Sequence, residues 1–402
     1  MKIKKYSFWT LALTAVLVSC NEKPETTSEE KNVAQVIIDS LENVYAPDGR
    51  VALFDFEAEK NADGFTIEGE TNMPEAAEDL EKTLNQKGIK FTSNIETLPD
   101  AEGLEDQTMG VIKISVANLR EEPRHASQLV TQATLGMPVK VYKKEGSWYY
   151  IQSPDGYLAW VDYGGIQNMT KEAFAAWKSK EKLIYLNPYG KSLKSAKNDA
   201  EVVSDLVAGD ILEFTAENGN FYEISYPDGR TAFVPKSDAK PYKTWLADLE
   251  VDGESLISTG EKLMGLPYLW GGTSPKGVDC SGFTKTVYFL NGMVIPRDAS
   301  QQVHTGVLVD STRNFENLVA GDLLFFGRPA TDSTKERVVH VGMWIGDQKF
   351  IHSMGDVHIS TMDTTAEDFD EYNYNRYLRS KRILNEKDKG LQYLKEQDIF
   401  TE

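Results

Sequence analysis

The spacing of apolar residues changes character several times along the chain, and each change marks a new element. Val36, Ile37 and Leu41 recur at helical spacing, whereas the run Val51-Ala52-Leu53-Phe54-Asp55-Phe56 and the segment Phe65 to Ile67 read as strands. A helix is predicted near Pro74 to Asn85 and a last strand near Lys90 to Ile95, so residues 33–105 form a small α+β unit. Its residues suggest no chemistry. Helical patterns return at Lys171 to Leu183 and at Thr244 to Met264. Phe283, Val287, Tyr288 and Leu290 then make a helical stripe that stops at Asn291-Gly292. Val338 to Gly346 alternates, and Gly346-Asp347-Gln348 predicts a hairpin turn into Phe350-Ile351-His352-Ser353. After Arg382 the chain becomes polar with a few apolar positions at helical spacing, which predicts a solvated helix or a loose tail.

Between these regions the chain repeats itself. At a constant offset of 73, Gly136 aligns with Gly209, Gly146 with Gly219 and Trp148 with Phe221. Ile151 meets Ile224, Pro154-Asp155-Gly156 meets Pro227-Asp228-Gly229, and Ala159-Trp160-Val161 meets Ala232-Phe233-Val234. Two copies of one module follow from this self-similarity. Short β-rich runs separated by glycine turns suit a small antiparallel barrel.

Composition narrows the function. A chain of 402 residues with 41% hydrophobic and 26% charged residues is globular and too long for one core. Its formal charge of -19 would repel nucleic acid over most of the surface, so that partner is excluded. Lys2, Lys4 and Lys5 precede an apolar run from Tyr6 to Val18, the layout of an export signal. It ends in Leu17-Val18-Ser19-Cys20, which resembles a bacterial lipobox with Cys20 as the lipidated residue. The polar stretch 21–32 reads as a flexible tether from the membrane. With Cys20 carrying lipid, Cys280 has no disulfide partner and is either a buried small hydrophobe or a reactive group.

The residues around Cys280 favour reactivity. Gly277-Val278-Asp279-Cys280-Ser281-Gly282 leads into the predicted helix, placing the thiol at a helix N-terminus, where N–H groups and the dipole lower its reference pKa of about 8.5. A cysteine nucleophile also needs a base. Of five histidines, His340 and His352 lie on the two predicted strands, roughly level with each other across the turn. Cys280 as nucleophile, His340 as base and His352 as its orienter is the economical assignment. Three ligands for zinc is an alternative, with no fourth ligand in view. His304, His358 and His125 read as surface residues.

Tyr268-x-Trp270-Gly271-Gly272, Asp279-Cys280-Ser281-Gly282, His340-Val341-Gly342 and the later His352 occur in one order, and that order resembles the NlpC/P60 family of papain-like cysteine peptidases. The duplicated modules resemble bacterial SH3-type domains, and the combination resembles the subgroup of γ-D-glutamyl-L-diamino acid endopeptidases. The resemblance implies a multidomain α+β chain: signal and lipobox 1–20, tether 21–32, α+β unit 33–105, SH3-type domains 106–168 and 183–243 around a helical linker 169–182, catalytic domain 244–385 and tail 386–402. It implies an oxyanion site from Tyr268 and the Cys280 N–H. Trp270 lines the cleft or packs in a core, and Asp279, Ser281, Asp298 and Ala299 lie near substrate. It further implies that the first SH3-type domain closes the cleft, with Glu122, or alternatively Glu121, and Tyr157 holding the amine of a terminal L-alanine.

The expected activity is hydrolysis of the γ-D-glutamyl to diamino-acid bond in L-Ala-γ-D-Glu-diamino acid peptides derived from peptidoglycan. No cofactor or metal is implied. The protein is expected to be a monomer, exported to the periplasm or cell envelope and anchored to the membrane through Cys20. Two alternatives stand: an endopeptidase on intact peptidoglycan, and a non-catalytic wall-binding lipoprotein.

Overall fold

The computed structural model describes residues 32–401. The export signal, the Cys20 lipidation site and nearly all of the tether lie outside the described residues. Among those described, no helix is long and apolar enough to cross a membrane.

The small N-terminal unit forms as its pattern requires. Helices Val33–Tyr45 and Pro74–Gln86 pack on a sheet of Phe54–Asn61, Gly64–Thr71 and Phe91–Thr97. The first two strands are an antiparallel hairpin, and the third runs parallel to the second. The first strand starts at Phe54 rather than Val51, so residues 47–51 are a turn.

The duplication holds strand by strand. Each module is a seven-stranded antiparallel sheet. Val116–Arg120, Pro138–Glu145, Trp148–Gln152 and Leu158–Asp162 recur at the offset of 73 as Tyr189–Leu193, Ile211–Asn218, Phe221–Ser225 and Thr231–Pro235. Gly146 and Gly219 both take a left-handed φ, 57° and 56°, at the tip of the same hairpin. Only a residue without Cβ adopts that conformation cheaply, which is why the spacing of glycines betrays the repeat. The linker helix covers Lys171–Lys178, because Lys182–Tyr185 is already the first strand of the second module.

Two short helices, Tyr242–Asp248 and Gly253–Glu261, replace the single helix expected over 244–264; Asp252 caps the second through Ser255 N–H at 2.8 Å. In the catalytic domain six antiparallel strands lie in the spatial order Val307–Asp310, Tyr377–Arg382, Leu323–Arg328, Arg337–Gly346, Lys349–Met354 and Asp356–Thr361. Helix Cys280–Phe289 packs on this sheet through Phe283 and Val287, against Met343 and Ile351.

The C-terminal tail corrects the expectation of a solvated or loose segment. Gln392–Tyr393 pairs with Met293–Val294, while Leu394 and Phe400 are buried beside Tyr242, Trp245 and Phe289. The apolar positions that looked helical instead plug the seam between the domains.

Candidate active site

Cys280 is the first residue of its helix, and Asp279 is the N-cap, accepting from Gly282 N–H at 2.7 Å. The same carboxylate accepts from Gly271 N–H at 2.9 Å and from Arg297 Nη1 and Nη2 at 3.1 and 2.6 Å. Asp279 therefore fastens the turn after Trp270, the start of the helix and Arg297 into one buried knot. Arg297 is only 1% exposed and also donates to Ser281 Oγ at 3.0 Å and to Thr131 Oγ1 of the first SH3-type domain at 3.0 Å. The sequence suggested substrate contact for Asp279 and Ser281, and the resemblance put Arg297 in a substrate-binding segment with Asp298, Ala299 and Ser300. The structure makes Asp279, Ser281 and Arg297 a mutual scaffold under the nucleophile.

The backbone N–H of Val341, one residue past His340 on the strand against which the helix packs, faces the thiol and favours its anionic form. His340 Nε2 meets His352 Nδ1 at 2.8 Å, and His352 Nε2 meets Ser360 Oγ at 3.0 Å. With Nε2 of His340 committed to its neighbour, Nδ1 remains to receive the thiol proton. The two histidines are not level as expected. Met343 pairs with Ile351, which sets Gly342 opposite His352, so the rings meet diagonally. Glycine is needed there, because a Cβ on Gly342 would lie 2.6 Å from the Phe350 ring and 3.2 Å from the His352 Cβ.

Electrostatics correct a second expectation. Burial, followed by the charge of Asp279, pushes the Cys280 thiol up to about 12, against the smaller lowering effects of the Val341 and Ser281 N–H groups. Burial holds His340 well below its ordinary value of 6.5 and brings His352 down to about 3. The helix end alone does not outweigh the loss of water, so the pair rests uncharged and the thiol gives up its proton as it attacks.

The depressed histidines also make a stability statement. Below about pH 6.5 the unfolded chain takes up protons that the folded chain refuses, so stability falls on acidification, by about 2 kcal/mol near pH 5 for His352, with a loss of the same sign from His340. Urea titrations from pH 7.5 to 5 should show this loss, and His352→Asn should show less of it. Equal slopes would contradict the assignment of two buried neutral imidazoles.

Cys280 opens onto a cleft of about 780 Å³ lined by Tyr268, Trp270, Asp298, Ala299, Tyr157 and Glu121, among others. Trp270 is 62% exposed, which excludes the core-aromatic reading. Burial, then nearness to Cys280 and Asp279, raises the Tyr268 phenol, so it keeps its proton and can donate. Ala299 starts the short helix Ala299–Gln302. Glu122 is a correction: it is exposed and paired with Arg124 at 2.5 Å, while Glu121 lines the cleft. Both lie in the bend that follows strand Val116–Arg120, and of the two only Glu121 lines the groove. Tyr157 donates to Asp298 Oδ2 at 3.2 Å. The first SH3-type domain is locked onto the catalytic domain by a buried Asp155–Lys285 ion pair and by Gln132 Oε1, which accepts from Thr273 N–H at 3.0 Å and Ser274 Oγ at 2.9 Å. Among the described residues no cluster of His, Cys, Asp or Glu could hold a metal ion.

A buried cysteine heading a helix, with a histidine pair on the sheet behind it, defines a papain-like cysteine peptidase. Comparison with known proteins makes this specific. Residues 265–379 match the model of the NlpC/P60 family, and residues 115–167 match that of the bacterial SH3 domain. The chain is 35% identical over 245 residues to a gamma-D-glutamyl-L-lysine dipeptidyl-peptidase of Bacillus cereus, covering 57% of this chain and 68% of that one. It is 29% identical over 281 residues to the protein of that name from Bacillus subtilis, covering 66% and 88%. A crystal structure of an NlpC/P60 family protein from Bacillus cereus superposes with a TM-score of 0.58 at 28% identity, over 69% of this chain and 99% of that one. The chain belongs to the NlpC/P60 family and is a cysteine peptidase of the cell-wall-hydrolysing kind.

Proposed function

We propose that the protein cleaves the γ-D-glutamyl to L-diamino acid bond of free peptidoglycan peptides whose N-terminal L-alanine is unblocked. The observation that carries this reading is the cleft itself: the groove onto which Cys280 opens is also lined by Glu121, Tyr157 and Asp298, two carboxylates and a phenol, with Tyr157 bonded to Asp298. Two carboxylates in a narrow groove pair with an ammonium and leave an acylated nitrogen without a partner.

In this mechanism Cys280 Sγ attacks the γ-carbonyl carbon of the D-glutamyl residue while its proton passes to His340 Nδ1. His352 and Ser360 stabilise the imidazolium through their hydrogen-bond chain. The Tyr268 hydroxyl and the Cys280 N–H hold the oxyanion, a contribution of about 3 kcal/mol for each donor. His340 then returns the proton to the departing diamino-acid amine, leaving a thioester. Water, deprotonated by His340, releases L-Ala-γ-D-Glu and restores the thiol. The lipobox-like Leu17-Val18-Ser19-Cys20 supports a lipid anchor at Cys20, hence an exported protein tethered to the envelope.

The test is L-Ala-γ-D-Glu-L-Lys beside its N-acetylated twin, with products identified by mass. Cleavage of the first alone is expected, giving L-Ala-γ-D-Glu and L-lysine. Equal cleavage of both would favour action on intact wall, and cleavage of neither would favour a wall-binding role.

A further inference from the structure

The N-terminal unit, whose sequence suggests no chemistry, enters the cleft. Gly49 and Arg50, in the turn before its first strand, line the groove beside Tyr157 and Asp298. Arg50 Nη1 donates to Asp298 Oδ2 at 2.6 Å and to Ser300 Oγ at 3.0 Å. The same Oδ2 receives the Tyr157 hydroxyl. Behind Arg50, Asp48 grips the guanidinium with both oxygens, each at 2.8 Å, and in turn receives Gln301 Nε2 at 2.8 Å. The backbone completes the attachment: Leu158 N–H donates to the Arg50 carbonyl at 2.8 Å, and Gln152 Nε2 donates to that of Val51 at 3.1 Å. One short turn is thus fastened both to the first SH3-type domain and to the Ala299–Gln302 helix.

The geometry points to Arg50 as a specificity-determining residue and to the turn 48–51 as the end wall of the cleft, which stops the peptide at its terminal alanine. This rests on the amine-end reading above. A planar guanidinium held by a carboxylate fork fixes direction as well as charge. With Arg50 and Tyr157 both on Oδ2, Asp298 is held in one orientation, its Oδ1 3.8 Å from Arg297 Nη1, and its carboxylate lines the groove where the substrate ammonium would sit. Arg50 does not cancel the site's attraction for a cation, because the carboxylates in and behind the lining, Asp48, Glu121, Asp279, Asp298 and Glu336, outnumber Arg50, Arg297 and Arg337. An acyl group on the alanine nitrogen would run into the turn. Arg50 acts through Asp298 and the wall, and is therefore a positioning residue rather than a catalytic one.

The experiment compares wild type, Arg50→Ala, Arg50→Lys and Asp48→Asn on L-Ala-γ-D-Glu-L-Lys and its N-acetyl twin. The Arg50 side chain is 39% exposed, so its loss should leave the fold intact, which a thermal melt checks. For Arg50→Ala, KM for the unblocked peptide should rise by about tenfold or more with kcat within about twofold, and preference over the acetylated peptide should shrink by a similar factor. Arg50→Lys and Asp48→Asn should fall between. A wild type that discriminates, matched in KM and preference by Arg50→Ala, would overturn the role of Arg50 alone. A wild type that cleaves both peptides equally, or neither, would overturn the amine-end reading and the role of Arg50 with it.

Discussion

Replacing Cys280 by alanine should lower kcat by about 10⁴-fold or more, because no other thiol lines the cleft and the Ser281 hydroxyl is held by Asp279 and Arg297. The substitution deletes one sulfur from a side chain that is 7% exposed and half-embedded among Phe283, Val341 and Met343, so the fold should persist. His340→Ala should lose a comparable factor, and the double variant little more, since a nucleophile without its base is as idle as a base without its nucleophile. Steady-state turnover of the unblocked tripeptide measures this. Retention of more than about a tenth of the wild-type rate by Cys280→Ala would show that the reaction runs elsewhere.

A larger structural effect is expected at Asp279. Its carboxylate satisfies two backbone N–H groups and both terminal nitrogens of Arg297. Asp279→Ala leaves a guanidinium, almost wholly enclosed, without its counter-ion, which costs about 3–5 kcal/mol. The helix that carries Cys280 loses its cap in the same stroke, a further loss of about 1 kcal/mol. Melting of the catalytic domain should drop by about 10 °C. Asp279→Asn, which can still accept from Gly282 N–H, should drop less. A melt for Asp279→Ala within about 2 °C of wild type would mean that water or a neighbour neutralises Arg297.

The elements that were legible in the sequence share one property: their signal is local. Seven strands recur at a fixed offset because the left-handed glycines and the Pro-Asp-Gly turns must recur with them. The hairpin carrying His340 and His352 could be read from its alternation and turn. Its register could not, since Asp347 and Gln348 both take left-handed φ and an irregularity follows Trp344, which moves the pairing off the turn centre. What failed to show in the sequence depends on contacts between distant segments. Arg297 stands in a segment that resembles a substrate-binding one, and its buried role shows only once Asp279, Ser281 and Thr131 surround it. Arg50 stands nearly 250 residues from Asp298, and its neighbours carry no motif. Glu121 and Glu122 are chemically equal, and only the bend after strand Val116–Arg120 separates them, turning one to the cleft and the other to Arg124. The helical spacing of the tail's few apolar positions misled because they fill a crevice, where apolar residues follow the shape of the gap. The thiol was judged by its helix end, but its burial is a property of the whole domain.

The central claim is that the sulfur of residue 280 is the atom that takes the acyl group. A chloromethyl ketone built on L-alanyl-γ-D-glutamic acid, placing its electrophilic carbon beside the scissile carbonyl, tests it by peptide mapping after inactivation. One label on the peptide containing Cys280, appearing in step with loss of turnover, is the predicted result. Complete inactivation with Cys280 unmodified, or undiminished turnover with Cys280 fully labelled, would contradict it.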